Sequence, residues 1–304
     1  MRLVDSMAPG SSGWITLPMN VDAFVCRGAG SGPIAAIVAG VHGDEYEGPS
    51  AVAELAKRLR PNAVHGSVVA IPVANPMAFC TAQRTNPEDG LNLARTFPGN
   101  RQGSVTERLA ATLFESAAAD ADFLIDLHSG GVEYNFLPLA GFYGEAEPQN
   151  PSYAAARRMG LPVLWKLPET EGVLSREAWK RGIPSVGAEY LGAGQLSWQG
   201  VSRYVEGVLS CLKLWGICPE EKLLPESGDA LTGDWQLASV TGVFDANVPL
   251  GAKVAAGEEL AAIRDLRGNV LERFVASSHG ILMAVRSKAY IRTGNWGVLV
   301  AAEA

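Results

Sequence analysis

The chain has 304 residues, of which 47% are hydrophobic, enough apolar material for one large domain or two smaller ones with a sizeable core. Its 32 Asp and Glu against 25 Lys and Arg leave a net charge of −7, which argues against the clustered positive surface that nucleic acids and anionic membranes require. Cys26, Cys80, Cys211 and Cys218 lie far apart without a CxxC pair, so neither a disulfide framework nor a thiolate metal site is indicated. Residues 1–13 show no basic stretch leading into an apolar run, and no apolar stretch reaches the roughly 20 residues that cross a bilayer. No signal peptide or membrane span is therefore expected, and the expected location is cytoplasmic.

From about residue 21 to residue 215, apolar runs of strand length alternate with helical periodicity. Strands are predicted over residues 23–27, 34–40, 67–73, 123–127, 162–166 and 184–190. Helices are predicted over residues 48–60, 105–119, 152–159, 172–180 and 200–215, with Val52, Leu55, Ala56 and Leu59 sharing one face of the first. Thr106 with Glu107 marks a start for the second. Several strands are apolar on both faces, as in an α/β fold whose mixed, mostly parallel sheet is covered by helices on both sides. Residues 216–233 break the alternation with Pro219, Pro225 and mixed charge, and read as a linker. Beyond them, short runs between Gly turns, at residues 240–244, 253–256, 260–264, 270–274, 280–285 and 297–301, predict a small all-β module. The expected division is 1–220 and 233–304.

The chemistry concentrates where predicted strands end. His42 and Glu45 stand three residues apart just after the apolar run of residues 33–40, and His128 ends the run Phe123-Leu124-Ile125-Asp126-Leu127. In open α/β sheets, ligands bind outside the carboxyl ends of the strands. Two imidazoles and one carboxylate there can hold one zinc ion per chain and leave a position open for water. Glu189 follows the apolar run Pro184-Ser185-Val186-Gly187-Ala188, so it projects into the same crevice as a general base. Arg84 and Arg95 flank a ten-residue loop; paired guanidinium forks near a metal point to an anionic substrate. Each residue also has a structural reading. Asp44 can cap the helix that follows it, His128 can be a loop residue, and Glu189 can pair with Arg181 or Lys180. His65 and His279 read as surface turn residues, and Tyr190, Tyr290 and Trp296 as packing.

Gly40-Val41-His42-Gly43-Asp44-Glu45, Asn75-Pro76, Arg84, the segment ending Arg95-Thr96-Phe97-Pro98-Gly99, Asp126-Leu127-His128-Ser129-Gly130-Gly131, and Glu189 together resemble the succinylglutamate desuccinylase and aspartoacylase family. These are zinc-dependent deacylases related to the zinc carboxypeptidases. The stretch Gly43-Asp44-Glu45-Tyr46-Glu47-Gly48-Pro49 is most similar to the branch with N-acetyl-diaminobutyrate deacetylases. The resemblance implies a zinc-carboxypeptidase-like first domain and a barrel-sandwich-like β module bordering the site. It also implies zinc ligands His42, Glu45 and His128, a general base at Glu189, a carbonyl-polarising Arg84, and Arg95 on the substrate carboxylate. The family's usual Asn before that arginine is Ala94 here; Asn92, pointing the same way on an extended backbone, is the expected substitute.

The function that follows is hydrolysis of the acyl–nitrogen bond of a small anionic N-acyl amino acid. Two other readings stand beside it: a zinc carboxypeptidase acting on peptides, and a non-catalytic binding protein that keeps the pocket. A homo-oligomer is compatible with either enzyme.

Overall fold

The structure is a computed structural model that describes residues 2–303; residues 1 and 304, the outer ends of the two expected units, lie outside it. The first part of the chain forms strands β1 (Ser11–Leu17), β2 (Val21–Arg27), β3 (Ile34–Ala39), β4 (Ser67–Ile71), β5 (Phe123–His128), β6 (Tyr134–Phe142), β7 (Val163–Lys166) and β8 (Ser185–Gly192). Between and after them run helices α1 (Glu47–Arg58), α2 (Pro76–Cys80), α3 (Val105–Leu113), α4 (Pro151–Arg157), α5 (Leu174–Trp179) and α6 (Trp198–Leu214). The C-terminal part is all β: β9 (Ala230–Thr232), β10 (Trp235–Leu237), β11 (Gly242–Ala246), β12 (Lys253–Val254), β13 (Glu259–Arg264), β14 (Val270–Val275), β15 (Gly280–Arg286), β16 (Tyr290–Ile291) and β17 (Trp296–Glu303).

Central strands are apolar throughout because both of their faces are covered. In β3, Ala35, Ile37 and Ala39 join one core with Ala51, Val52 and Leu55 of α1 and Val205 and Val208 of α6. The alternate residues Ile34, Ala36 and Val38 join a second core with Leu109 and Leu113 of α3 and Leu174 and Ala178 of α5. Period-two alternation of one strand between two helical layers gives the α/β sandwich.

Among the described residues, thirteen strands form one sheet in the order β1-β2-β4-β3-β5-β8-β6-β7-β9-β17-β15-β12, with β10 also on β17. The sheet is mixed: β4, β3, β5 and β8 run parallel, as do β6, β7 and β9, whereas β1–β2, β2–β4 and β6–β8 pair antiparallel. The remaining strands β14, β13, β11 and β16 make a second, four-stranded sheet. It packs on β15 and β17 through Phe244, Leu260, Ile263, Phe274, Leu282 and Val298.

Several local expectations are corrected. The β1 and β6 strands escape the sequence patterns: β1 is a half-exposed edge strand, and β6 carries Pro138 inside a bulge between Phe136 and Leu139, where the missing ladder donor is tolerated. The helix predicted over residues 105–119 begins at Val105 as α3, but its cap is Ser104 and its start signal is not Thr106: Ser104 and Glu107 form a reciprocal capping box, while the Thr106 hydroxyl donates to Asp89 Oδ1 at 2.7 Å. Its last stretch, Phe114–Ala118, is a π turn. The expected linker contains β9, which pairs with both β7 and β17. No helix among the described residues is long and apolar enough to cross a membrane.

Candidate active site

Two adjacent turns deliver the metal-ligand candidates. The chain leaves β3 at Gly40, whose φ of +63 favours glycine and where an added Cβ would lie 2.8 Å from Val73 Cα. This brings His42 and Glu45 over the carboxyl end of β3, just ahead of α1. His128 is the last residue of β5, and parallel pairing with β8 sets it directly beside Glu189. From behind, the Tyr204 hydroxyl of α6 donates to the His128 carbonyl at 2.6 Å. Glu189 is thus inside β8, which continues to Gly192, not at a strand end; it faces the site because it alternates with the core residues Ala188 and Tyr190.

His42, Glu45 and His128 are buried and offer ligand atoms that all lie within 4.8 Å of one another. His42 Nδ1 is 2.7 Å from Glu45 Oε1, and His128 Nδ1 is 3.0 Å from Glu45 Oε2. On its far side, His42 Nε2 meets Asn92 Oδ1 at 3.1 Å. That oxygen also accepts the Ala94 N–H at 2.9 Å, so it is an acceptor and His42 carries its proton on Nε2. The Nδ1 lone pair then faces a carboxylate oxygen, acceptor against acceptor, an arrangement that a cation between them makes favourable. His128 Nε2 lies 3.0 Å from Asp126 Oδ1, the carboxylate–histidine pairing that commonly backs a metal ligand. The donor set therefore fits zinc.

Burial and neighbouring charges move the four groups in different directions. Burial, assisted by Arg84, pushes the His42 pKa down to about 4 against the pull of Glu45, leaving a neutral imidazole. Burial opposes charge on His128 too, but Asp126 and Glu45 outweigh it and hold its pKa well above the ordinary value. Burial would also raise Glu45, yet the two histidines outweigh it and keep this carboxyl far below the usual range. Glu189 moves the other way: burial, reinforced by Glu45 and Asp126 against His128 and Arg84, pushes it up to about 8. Its Oε2 is buried and has no hydrogen-bond partner.

Arg84 Nη1 donates to Glu45 Oε1 at 3.3 Å, and Arg95 is anchored by donating to the Ala94 carbonyl at 2.8 Å. Asn92 is itself extended, but it caps a short 3-10 turn over Leu93–Arg95, so the backbone leading from it to Ala94 is not, and Ala94 is buried against the α3 core. With its oxygen on His42, Asn92 keeps its amide NH2 as its remaining donor. Arg84, Asn92 and Arg95 line one mouth together with Asn295 and Trp296 of the C-terminal part.

The structural readings of the acidic residues do not hold. Asp44 leaves α1 uncapped by any side chain and accepts the Val132 N–H at 2.8 Å, tying down the loop after His128. Lys180 pairs with Glu169 at 2.6 Å and Arg181 lies over the Phe114 ring, so neither is spent on Glu189. His65 and His279 are exposed, as expected of turn residues. Trp296, read as packing ahead of a pocket wall, borders the site.

A cavity of ≈ 220 Å³ opens beside His42, His128, Arg84, Arg95 and Glu189. It holds residues that the sequence patterns did not single out. Tyr143, buried just after β6, has its hydroxyl 3.2 Å from Ser175 Oγ, and much of the remaining wall is Leu, Met and Trp. Only the Tyr143 phenol carried a local signal, a polar atom directly after the apolar run of residues 139–142.

The likeness to known proteins covers most of the molecule. Residues 31–215 match the family model of the succinylglutamate desuccinylase/aspartoacylase catalytic domain. The chain is 31% identical over 285 residues to N-alpha-acetyl-L-2,4-diaminobutyric acid deacetylase of Halomonas elongata, covering 90% of this chain and 83% of that one. The product-bound structure of the ectoine utilization protein EutE (DoeB) from Ruegeria pomeroyi superposes with a TM-score of 0.87 at 29% identity, over 97% of this chain and 96% of that one. A succinylglutamate desuccinylase/aspartoacylase structure from Rhodobacter sphaeroides gives a TM-score of 0.86 at 28% identity, over 97% and 96% of the two chains. A family match across the strands that carry the site, with relatives alike along nearly the whole chain, leads to one conclusion: the protein belongs to the succinylglutamate desuccinylase/aspartoacylase family.

Proposed function

We propose that the chain is a zinc-dependent hydrolase that removes the acyl group from the nitrogen of a small N-acyl amino acid. The observation that carries this is the convergence of His42 Nδ1, His128 Nδ1 and Glu45 on one point, next to a buried, unpartnered Glu189 oxygen. Zinc held by these three side chains supplies a Lewis acid that activates water and polarises the amide carbonyl.

The chain's own residues do the rest. Glu189 takes the proton from the attacking water as the new C–O bond forms, and returns it to the nitrogen as the C–N bond breaks. A carboxylate held up to about 8 by burial is a strong enough base for the first step and, once protonated, an acid for the second. Arg84, beside Glu45, donates to the carbonyl oxygen as negative charge gathers there. Arg95 and the Asn92 amide group bind the substrate carboxylate at the mouth, where Arg95 offers a fixed fork. The products are the free acid and the free amine.

A cavity of ≈ 220 Å³ suits a single acyl amino acid better than a peptide. We further propose that residues 1–220 are a zinc-carboxypeptidase-like catalytic unit. Residues 233–304 are then a barrel-sandwich module, a reading supported by the two C-terminal sheets that share one core.

The test is release of free amine from acetyl and succinyl derivatives of aspartate, glutamate and diaminobutyrate by purified protein. Activity should follow zinc content, vanish with a chelator and return when zinc is restored. Hydrolysis that survives complete removal of the metal would falsify the proposed role of the histidines.

A further inference from the structure

The wall of the cavity opposite the metal-ligand candidates is apolar, and its construction is specific. Leu139, Trp165, Met283 and Leu299 are each 5% exposed or less, belong to one cluster, and have Leu167 and Trp235 packed against them; all six line the cavity. Two backbone features aim them there. Met283 alternates away from Leu282, and a bulge between Leu282 and Ala284 in β15 keeps Met283 and Ala284 together in the cavity cluster while Leu282 and Val285 face the module's own core. Leu167 occupies space that glycine leaves open, since a Cβ on Gly141 would lie 2.6 Å from its Cγ.

No carboxylate stands among these six residues. The acidic groups lining the cavity are Asp126 and Glu189 at the reaction centre and Asp234, which is exposed at the rim. An ammonium group placed against Leu, Met and Trp would lose its water and meet no carboxylate, with only the Trp faces to offset the loss. An apolar group would be desolvated favourably there, and Met and Trp offer polarisable surfaces to an aromatic ring.

We propose that the preferred substrate carries a bulky apolar, preferably aromatic, substituent that fills this chamber, with its carboxylate at the Arg84, Asn92 and Arg95 mouth. This rests on the deacylase reading and narrows its substrate class. It departs from the diaminobutyrate derivative named for the Halomonas relative. The substituent is either the acyl group or the amino-acid side chain.

The two sources are separated by assaying the zinc-loaded protein on N-benzoylglycine, N-acetylphenylalanine, N-acetylglycine and N-acetyl-2,4-diaminobutyrate. One of the aromatic compounds should exceed both of the others in kcat/KM by about 10-fold or more, since even a methylene or two in an apolar pocket is worth that much. N-benzoylglycine leading assigns the chamber to the acyl group, and N-acetylphenylalanine leading assigns it to the side chain. Leu167→Glu, checked for folding by circular dichroism, should narrow the lead by about 10-fold. N-acetyl-2,4-diaminobutyrate or N-acetylglycine outpacing both aromatic compounds overturns the proposal and leaves the deacylase reading intact. If none of the four is hydrolysed, the deacylase reading stands or falls on the aspartate, glutamate and diaminobutyrate derivatives of its own test, and calorimetric titration of the same four compounds decides the chamber, with tighter binding of an aromatic one supporting it and equal or weaker binding overturning it.

Discussion

The two sides of the cavity are built by different means. The reactive side comes from the carboxyl ends of β3 and β5 and from β8, three adjacent strands locked by parallel pairing, so its polar groups are placed by backbone that is buried on both faces. The apolar side is assembled at a seam. Leu139 and Trp165 come from β6 and β7, while Met283 and Leu299 come from β15 and β17, which reach them because β15 pairs with β6 and β9 bridges β7 and β17. The proposed chemistry thus rests on the centre of the sheet, and the proposed substrate choice on the junction with the C-terminal strands. Side chains at such a junction can change without disturbing the ligand set, as expected of a fold that keeps one reaction and varies its substrates.

This contrast can be broken at graded cost. The largest effect is expected from Glu189→Gln, which keeps the side chain's shape and removes its basicity. It should lower kcat/KM by about 100- to 10,000-fold while zinc content, measured by atomic absorption, stays at one per chain. Wild-type activity in this variant would move the base elsewhere.

Asn92→Ala tests whether the reactive side depends on a residue outside its three strands. Loss of the oxygen that holds His42 Nε2 should weaken zinc binding by about 10- to 100-fold in a chelator competition. Unchanged affinity would reduce Asn92 to a mouth residue.

The smallest effect is on stability against pH in chelator-treated protein. Folding raises the Glu189 pKa to about 8 from its ordinary 4.5 and raises His128 well above 6.5. Between 6.5 and 8 the folded chain therefore holds protons that the unfolded chain has released, and stability falls as pH rises. The urea midpoint should drop across this window, less steeply in Glu189→Gln. An identical slope in both proteins would exclude Glu189 as a contributor.

Much of the reactive side was readable in the residue order. His42, Glu45, His128 and Glu189 follow or interrupt apolar runs, and parallel strands collect such positions on one edge. Asp44 was misread because its position before a helix suggested a cap, whereas the backbone N–H that it accepts belongs to Val132, 88 residues away. Ala94 and Asn92 misled for a related reason: an extended backbone was assumed where a 3-10 turn forms. The apolar wall left no signal, because a Leu or Trp that lines a cavity has the same local pattern as one that fills a core.

By itself the sequence determined what local periodicity and strand-end placement can carry: the α/β alternation, the β-rich C-terminal part and the residues able to hold a metal and move a proton. Only the tertiary structure decided which nitrogen of His42 faces Glu45, where Met283 points, and that β15 closes the cavity by pairing with β6. These depend on contacts between groups far apart in the chain, whose geometry is set by strand pairing and bulges, and no pattern within a single segment encodes them.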